Sequence, residues 1–127
     1  IHHARMLAVA RNAPLRISFE SGAGGSCYVI HTGAANACGC AADGSAVCQG
    51  SAQAERSVFF PAGGPVGVKS NSRSVQFDPA KGTSTPTATV QLQARSGAAI
   101  HQVMNIMGRV RSCLPASAPA LGGYRRC

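Results

Sequence analysis

The stretch LRISFESGAGGSCYVIHTG, residues 15–33, decides the fold of this chain. Leu15, Ile17 and Phe19 alternate with polar side chains, which is the period-two pattern of a strand with one buried face. A turn rich in glycine and serine follows, and CYVIHTG then alternates again. The segment predicts an antiparallel β-hairpin.

Residues 1–13, which precede this hairpin, are predicted to form the end of a helix. Apolar residues follow helical spacing from Ile1, the alanines favour a helix, and residues 12–14 end it. No capping residue precedes the first turn. We therefore expect IHH to be either a tag remnant or the remainder of a longer helix.

Beyond the hairpin, alternating patterns predict further strands separated by turns rich in glycine and proline. We expect these strands at residues 56–60, 73–77, 87–95, 99–107 and 109–113. Together with the hairpin they predict a mainly antiparallel sheet.

Three further segments have distinct local predictions. The cysteine-rich residues 33–50 are predicted to be a loop that disulfides order, and residues 114–127 an irregular tail. In the segment GRVRSC, Val110 is predicted to face the core while Arg109 and Arg111 project together from the other face. Gly108 is predicted to be a bulge or a turn.

The length of 127 residues suits one domain with a single core, so we predict one α+β domain over residues 1–127. Its expected architecture is an N-terminal helix packed on a mainly antiparallel β-sheet and stabilised by disulfides. The sequence contains no apolar stretch of about 20 residues, so the chain as given is not expected to span a membrane.

Six cysteines in a chain this short are typical of an oxidising compartment, where cysteines form disulfides. We expect Cys113 to pair with Cys127. The other four are expected to pair among themselves without a bond between the two cysteines of the CGC segment: Cys27, Cys38, Cys40 and Cys48. A metal site is the alternative, but C-x-C differs from the usual C-x2-C of structural zinc sites, so we expect no metal.

Positive charge is concentrated in the C-terminal part of the chain. Residues 1–78 contain six basic and four acidic residues, whereas residues 79–127 contain six basic residues and no acidic one. Arginine outnumbers lysine by ten to two, and a guanidinium group is well suited to phosphate or carboxylate. The distribution favours anion binding, the alternative being solubility through net charge.

Candidate binding residues follow from this charge. Arg109 and Arg111 lie on the last strand, and a Cys113–Cys127 disulfide would bring Arg125 and Arg126 near them. Such a group would contact phosphates without reading sequence, and Tyr124 could stack on a base. The alternative is that Arg109 and Arg111 pack on neighbouring side chains or pair with carboxylates.

The chain offers no recognisable catalytic constellation. Its carboxylates are scattered, and the segments GAGGSC and PAGGPVG match neither a phosphate-binding loop nor a dinucleotide-binding fingerprint. His31 and His101 are isolated residues on predicted strands. We expect neither enzyme activity nor a cofactor.

Three motifs resemble the GspH/FimT family of type IV pilin-like minor pseudopilins. They are AVARNAPLRISF, the F-D-P-x-x-G-T segment at residues 77–83, and the Gly-Arg-x-Arg motif at residues 108–111. The resemblance covers essentially the whole chain and is strongest to FimT members.

The resemblance implies a type IV pilin-like fold whose long N-terminal helix has lost its membrane half here. It implies an inner-membrane anchor facing the periplasm, exposure at the cell surface in the pilus, and contacts with minor and major pilins through the helix. Some FimT members bind DNA during natural transformation through this motif, onto which Arg109 and Arg111 map. Arg125, Arg126 and Lys81 lie outside the motif and are added on charge and possible proximity. The alternative function is a structural minor pilin, FimU-like, or a GspH-like type II secretion pseudopilin, that primes assembly without binding DNA.

Overall fold

The computed structural model describes residues 2–22, 24–41 and 44–127, apart from the side chain of His2. Ile1, at which the predicted helix starts, lies outside the described residues. Within the described residues there are one helix and eleven strands. Their bounds are α1 His2–Arg11, β1 Leu15–Gly22, β2 Gly25–His31, β3 Cys38–Cys40, β4 Ala46–Cys48, β5 Ala54–Pro61, β6 Val66–Ser70, β7 Ser74–Phe77, β8 Ser84–Thr85, β9 Ala88–Ala94, β10 Ala99–Met104 and β11 Val110–Cys113.

The predicted hairpin is confirmed as β1 and β2, at the centre of a five-stranded antiparallel sheet in the order β5-β2-β1-β7-β8. Ile17 pairs with Ile30 on one side and with Val75 on the other. Leu15, Ile17 and Phe19 are buried, as their alternation predicts. This face forms one wall of the core.

A second antiparallel sheet has the order β11-β10-β9-β6. In its register Leu92 lies opposite both Ile100 and Val68. Because β11 is the last strand in this order, the Gly-Arg-x-Arg motif lies at an edge of the sheet.

The core lies between the two sheets and includes one face of the helix. Phe77 of the first sheet and Met104 of the second belong to the same buried cluster as Ala4 and Ala8 of α1. Ala4 and Ala8 are fully buried, and their small side chains allow the helix to lie close to the sheet. No helix in the described part of the chain is long and apolar enough to cross a bilayer.

The segment predicted as a loop at residues 33–50 contains a short two-stranded sheet instead. Strand β3 pairs with β4, and Cys38 lies opposite Cys48 and is bonded to it. A second disulfide, Cys27–Cys40, attaches this small sheet to β2. The pairing of β3 with β4 was not predictable from alternation because the segment has few large apolar side chains. Disulfides, and not a buried apolar face, hold these two strands in place.

Three other features of the structure differ from what the sequence predicts. The structure is more β than the predicted α+β class, since the one helix among the described residues has ten residues. Strand β6 was not predicted because its valines follow a glycine- and proline-rich break. The strand predicted at residues 99–107 ends at Met104, so Ile106 and Met107 are exposed in a turn.

Candidate nucleic-acid interface

A turn at residues 105–108 joins β10 to β11 and positions the predicted arginines. The amide of Gly108 donates to the carbonyl oxygen of Asn105 (3.0 Å). The side-chain Oδ1 of Asn105 accepts hydrogen bonds from the amides of Met107 (3.0 Å) and Arg109 (3.1 Å). Asparagine is favoured in turns because its side chain can bond the backbone that follows. The turn is therefore held largely by its own residues.

Gly108 is required where this turn meets the rest of the fold. Its φ of 80° lies in the left-handed region that favours glycine. A Cβ at this position would overlap the carbonyl oxygen of Gly82 and lie 2.8 Å from Nε of Arg5. The glycine of the motif thus allows the turn to lie directly against the loop at residues 78–83.

Ser84 holds the same two segments together. Its amide donates to the carbonyl oxygen of Ile106 (2.9 Å), and its hydroxyl donates to that of Asn105 (2.6 Å). Ser84 is fully buried. Ser84 directly follows the F-D-P-x-x-G-T segment, and its two partners precede the Gly-Arg-x-Arg motif. These bonds therefore support the close approach of Gly82 to Gly108.

Arg5 of the helix completes this junction, and sequence reasoning missed its role. Its Nε donates to the carbonyl oxygen of Gly82 (2.8 Å). One signal could have found it: Arg5 precedes the buried Ala8 by three residues, so the two share a helix face. A charged residue so close to the packed face needs a polar partner.

Lys81 lies in the loop that contacts Gly108. Asp78 folds this loop, because its Oδ1 accepts hydrogen bonds from the amides of Ala80 (2.8 Å) and Lys81 (2.9 Å). These backbone bonds, that of Lys81 first, lower the pKa of Asp78 below its ordinary value of 3.8. The side chain of Lys81 is exposed. Its neighbour Gly82 contacts Gly108, so Lys81 lies near the start of the motif.

The two motif arginines are both exposed, but their arrangement differs from the prediction. Strand β11 begins only at Val110, so strand alternation does not apply to Arg109. Arg109 and Val110 both border a cavity between the sheets, and Val110 is 38% exposed instead of buried in the core. Arg111 pairs with Val103 within the strand, which places it on the face opposite to Val110.

The tail at residues 114–127 is tied back to β11. Cys113 is bonded to Cys127, as predicted, and Leu114 forms a parallel bridge with Arg126. The amide of Leu114 donates to the carbonyl oxygen of Arg125 (2.8 Å), and the amide of Cys127 donates to that of Leu114 (2.8 Å). The tail arginines therefore lie beside the residue that directly follows β11.

The two tail arginines differ in their freedom. Arg126 Nη1 donates to the carbonyl oxygens of Pro115 (2.8 Å) and Ala118 (2.6 Å), so this guanidinium also holds the tail. Arg125 and Tyr124 are exposed. Arg125 is thus the freer of the two for an external ligand.

The side-chain carboxylates of the described residues are engaged by groups other than the motif and tail arginines, that of Asp78 by the amides of Ala80 and Lys81. Among the described residues, the ion pairs are Arg11–Glu55 and Arg73–Glu20, the latter at 3.5 Å. Asp43, counted in the charge balance above, lies outside the described residues. Within residues 2–22, 24–41 and 44–127, Arg109, Arg111 and Arg125 therefore have no carboxylate partner. This local excess of positive charge can attract an anion.

One cluster has the composition of a metal site but not its chemistry. A carboxylate oxygen of Glu20 lies with the sulfurs of Cys27 and Cys40. These two sulfurs are bonded to each other, whereas a cysteine binds metal as a free thiolate. All six cysteines, each within the described residues, are paired in this way.

The family model for the type II transport protein GspH matches residues 1–108. The chain therefore belongs to this family, whose members are in general membrane-anchored periplasmic pseudopilins with a structural and not a catalytic role. Its own role is, in general terms, that of a minor pilin or pseudopilin. Comparisons with curated proteins and with solved structures gave no significant match.

Proposed function

We propose that this domain is a FimT-like minor pilin that binds DNA non-specifically through phosphates, with Arg109 and Arg111 as its central contacts. The observation that carries the proposal is an edge strand with exposed arginines that lack carboxylate partners among the described residues. We call the group formed by Arg109, Arg111, Arg125 and Arg126 the basic edge. Guanidinium groups so placed would displace counterions from DNA, which drives association without sequence preference.

The members of the basic edge contribute unequally. Arg109, Arg111 and Arg125 are free to turn towards a phosphate, whereas Arg126 keeps one nitrogen on tail carbonyls. Lys81 extends the positive surface from the neighbouring loop. Tyr124 is 42% exposed, which suits stacking of its ring on a base at a frayed or single-stranded end.

The physiological role we propose is capture of DNA for natural transformation. Before assembly the protein would be anchored in the inner membrane, and in the pilus it would lie at the cell surface, contacting other pilins through its helix. Three or four phosphate contacts give weak binding by one domain. Several copies in one pilus would raise the effective affinity because binding of the second copy becomes intramolecular.

The test is DNA binding by this domain, measured by fluorescence anisotropy with a labelled duplex of about 25 base pairs at low salt. The double variant Arg109→Gln/Arg111→Gln is expected to bind at least about tenfold more weakly, because two phosphate contacts are lost. The matched control is Arg56→Gln/Lys69→Gln. It removes the same charge from the edge strand β5 of the first sheet and from β6, which is the edge strand of the second sheet opposite to β11.

Two results would overturn the proposal. One is the absence of measurable binding by the unaltered domain at about 50 mM salt, where phosphate contacts are strong. The other is an equal loss of affinity in the two double variants, which would show that only net charge matters.

A second function, a structural minor pilin that primes assembly, is favoured by exposed apolar side chains beside the motif. Ile106 and Met107 are 55% and 59% exposed in the turn, and Met6 of the helix is 52% exposed. Such side chains suit contact with a protein partner. If this is the function, Ile106→Ser/Met107→Ser in the full chain would lower pilus number while Arg109→Gln/Arg111→Gln would leave it unchanged.

A further inference from the structure

A cavity of about 680 Å³ opens between the two sheets beside Arg109. Its walls are mainly apolar: Ile17, Phe19 and Tyr28 of the first sheet and Val90, Leu92 and Val110 of the second. Cavities of about 300–1,000 Å³ with apolar walls and a few polar groups are typical of small-molecule sites. The volume and lining of this cavity match that description.

The charged groups that line the cavity have one sign. They are Arg5 and Arg109, accompanied by the neutral amide of Gln102, and no carboxylate of the described residues lines it. Arg5 uses Nε to hold Gly82, and within the described part of the chain its two terminal nitrogens have no hydrogen-bond partner. Arg109 is exposed and has no side-chain partner among those residues.

We propose that this cavity binds a single-chain anionic amphiphile, with its alkyl chain against the apolar walls and its carboxylate or phosphate at Arg5 and Arg109. The apolar walls favour an alkyl chain over water. The two guanidinium groups favour an anionic head group and disfavour a cationic one. This site is independent of the proposed DNA contacts except that Arg109 serves both.

Decanoate is the probe, and decyltrimethylammonium is its control because it has the same chain with the opposite charge. Binding is measured by isothermal titration calorimetry, and the affected residues are located by amide chemical shifts of the unaltered domain. We expect decanoate to bind at least about tenfold more tightly than the cation, with shifts around the cavity. Octanoate is expected to bind at least about fivefold more weakly than decanoate, since each buried methylene contributes up to about fourfold in affinity.

Two single variants separate this site from the basic edge. Val110→Trp places a large ring at the cavity wall, so it is expected to abolish decanoate binding and leave DNA binding unchanged. Arg111→Gln, on the opposite face of the same strand, is expected to weaken DNA binding and leave decanoate binding unchanged. Arg109→Gln is expected to weaken both, and it decides the question if Val110→Trp does not fold.

Tyrosine emission gives an additional readout. The chain has no tryptophan and two tyrosines, of which Tyr28 lines the cavity. In a Tyr124→Phe background, decanoate is therefore expected to change the emission of Tyr28 alone. The proposal is wrong if the cation binds as tightly as decanoate, if the shifts lie away from the cavity, or if Arg109→Gln has no effect on decanoate.

Discussion

Replacing Gly108 by alanine tests the junction on which the position of the motif depends. The substitution adds one methyl group at a residue whose φ is 80°. That methyl group would overlap the carbonyl oxygen of Gly82 and lie 2.8 Å from Nε of Arg5. Because the nearest obstacle is backbone, the turn or the loop must move.

Two costs contribute to the expected loss of stability. Placing an alanine in the left-handed region costs about 1–2 kcal/mol, and forcing an extra methyl group into a packed contact costs about 1–3 kcal/mol. The free energy of unfolding should therefore fall by about 2–5 kcal/mol. For a domain of this size about 1 kcal/mol corresponds to about 4 °C, so the melting temperature should fall by about 8–20 °C.

Gly63→Ala is the matched control. Gly63 has a φ of 77°, almost that of Gly108, but a Cβ there would meet no atom within 4 Å. Only the backbone cost applies, so its melting temperature should fall by about 4–8 °C. Thermal unfolding followed by circular dichroism compares the two variants. Equal losses would refute the inference that contact with Gly82 makes glycine necessary at the motif.

Two further predictions concern the loop and the tail. The pKa of Asp78 is lowered on folding, so its ionised form stabilises the fold above pH 3.8, and this contribution is lost as the pH falls below that value. In the Asp78→Asn variant, the melting temperature should therefore change less between about pH 5 and pH 2 than in the unaltered protein. A carboxyl resonance of Asp78 that titrates at or above pH 3.8 would contradict the lowered pKa. Cys127→Ala opens a loop with a sequence separation of 14, and about 3 kcal/mol of constraint is lost. The amide hydrogen exchange of Leu114 should accelerate by up to about 100-fold, while that of Ile17 in the core stays unchanged. Unchanged exchange at Leu114 would show that the tail stays packed on β11 without the disulfide.

Much of the sheet was predictable because its strands follow simple alternation. Leu15, Ile17 and Phe19 carry that signal and are buried together. Strand β6 was missed because Val66 and Val68 follow the segment PAGGP, whose residues usually mark a turn. The small sheet of β3 and β4 depends on disulfides, which alternation does not reveal.

The composition of the candidate site was predictable, but its geometry was not. The charge distribution and the Gly-Arg-x-Arg motif identify Arg109 and Arg111 as candidate binding residues from the sequence alone. Strand β11 starts only at Val110, so Arg109 and Arg111 do not project from one strand face as predicted. This start depends on hydrogen bonds to the side chain of Asn105. Those bonds are local, yet alternation of apolar residues continues through Ile106 and hides the turn.

The helix face of Arg5 indicates that it needs a polar partner, but which residue is that partner depends on tertiary contact alone. Its partner Gly82 lies 77 residues away in sequence. No local pattern connects the helix to that loop. The cavity beside Arg5 likewise exists only once the two sheets are packed, so it could not be found from the sequence.

The salt dependence of duplex binding measures whether Arg109 and Arg111 bind DNA phosphates. For each phosphate neutralised, the slope of log K against log salt concentration is about −0.9. Arg109→Gln/Arg111→Gln is expected to make this slope shallower by about 1.8, while Arg56→Gln/Lys69→Gln is expected to leave it nearly unchanged. The same slope for the unaltered domain and the Arg109→Gln/Arg111→Gln variant would contradict this expectation.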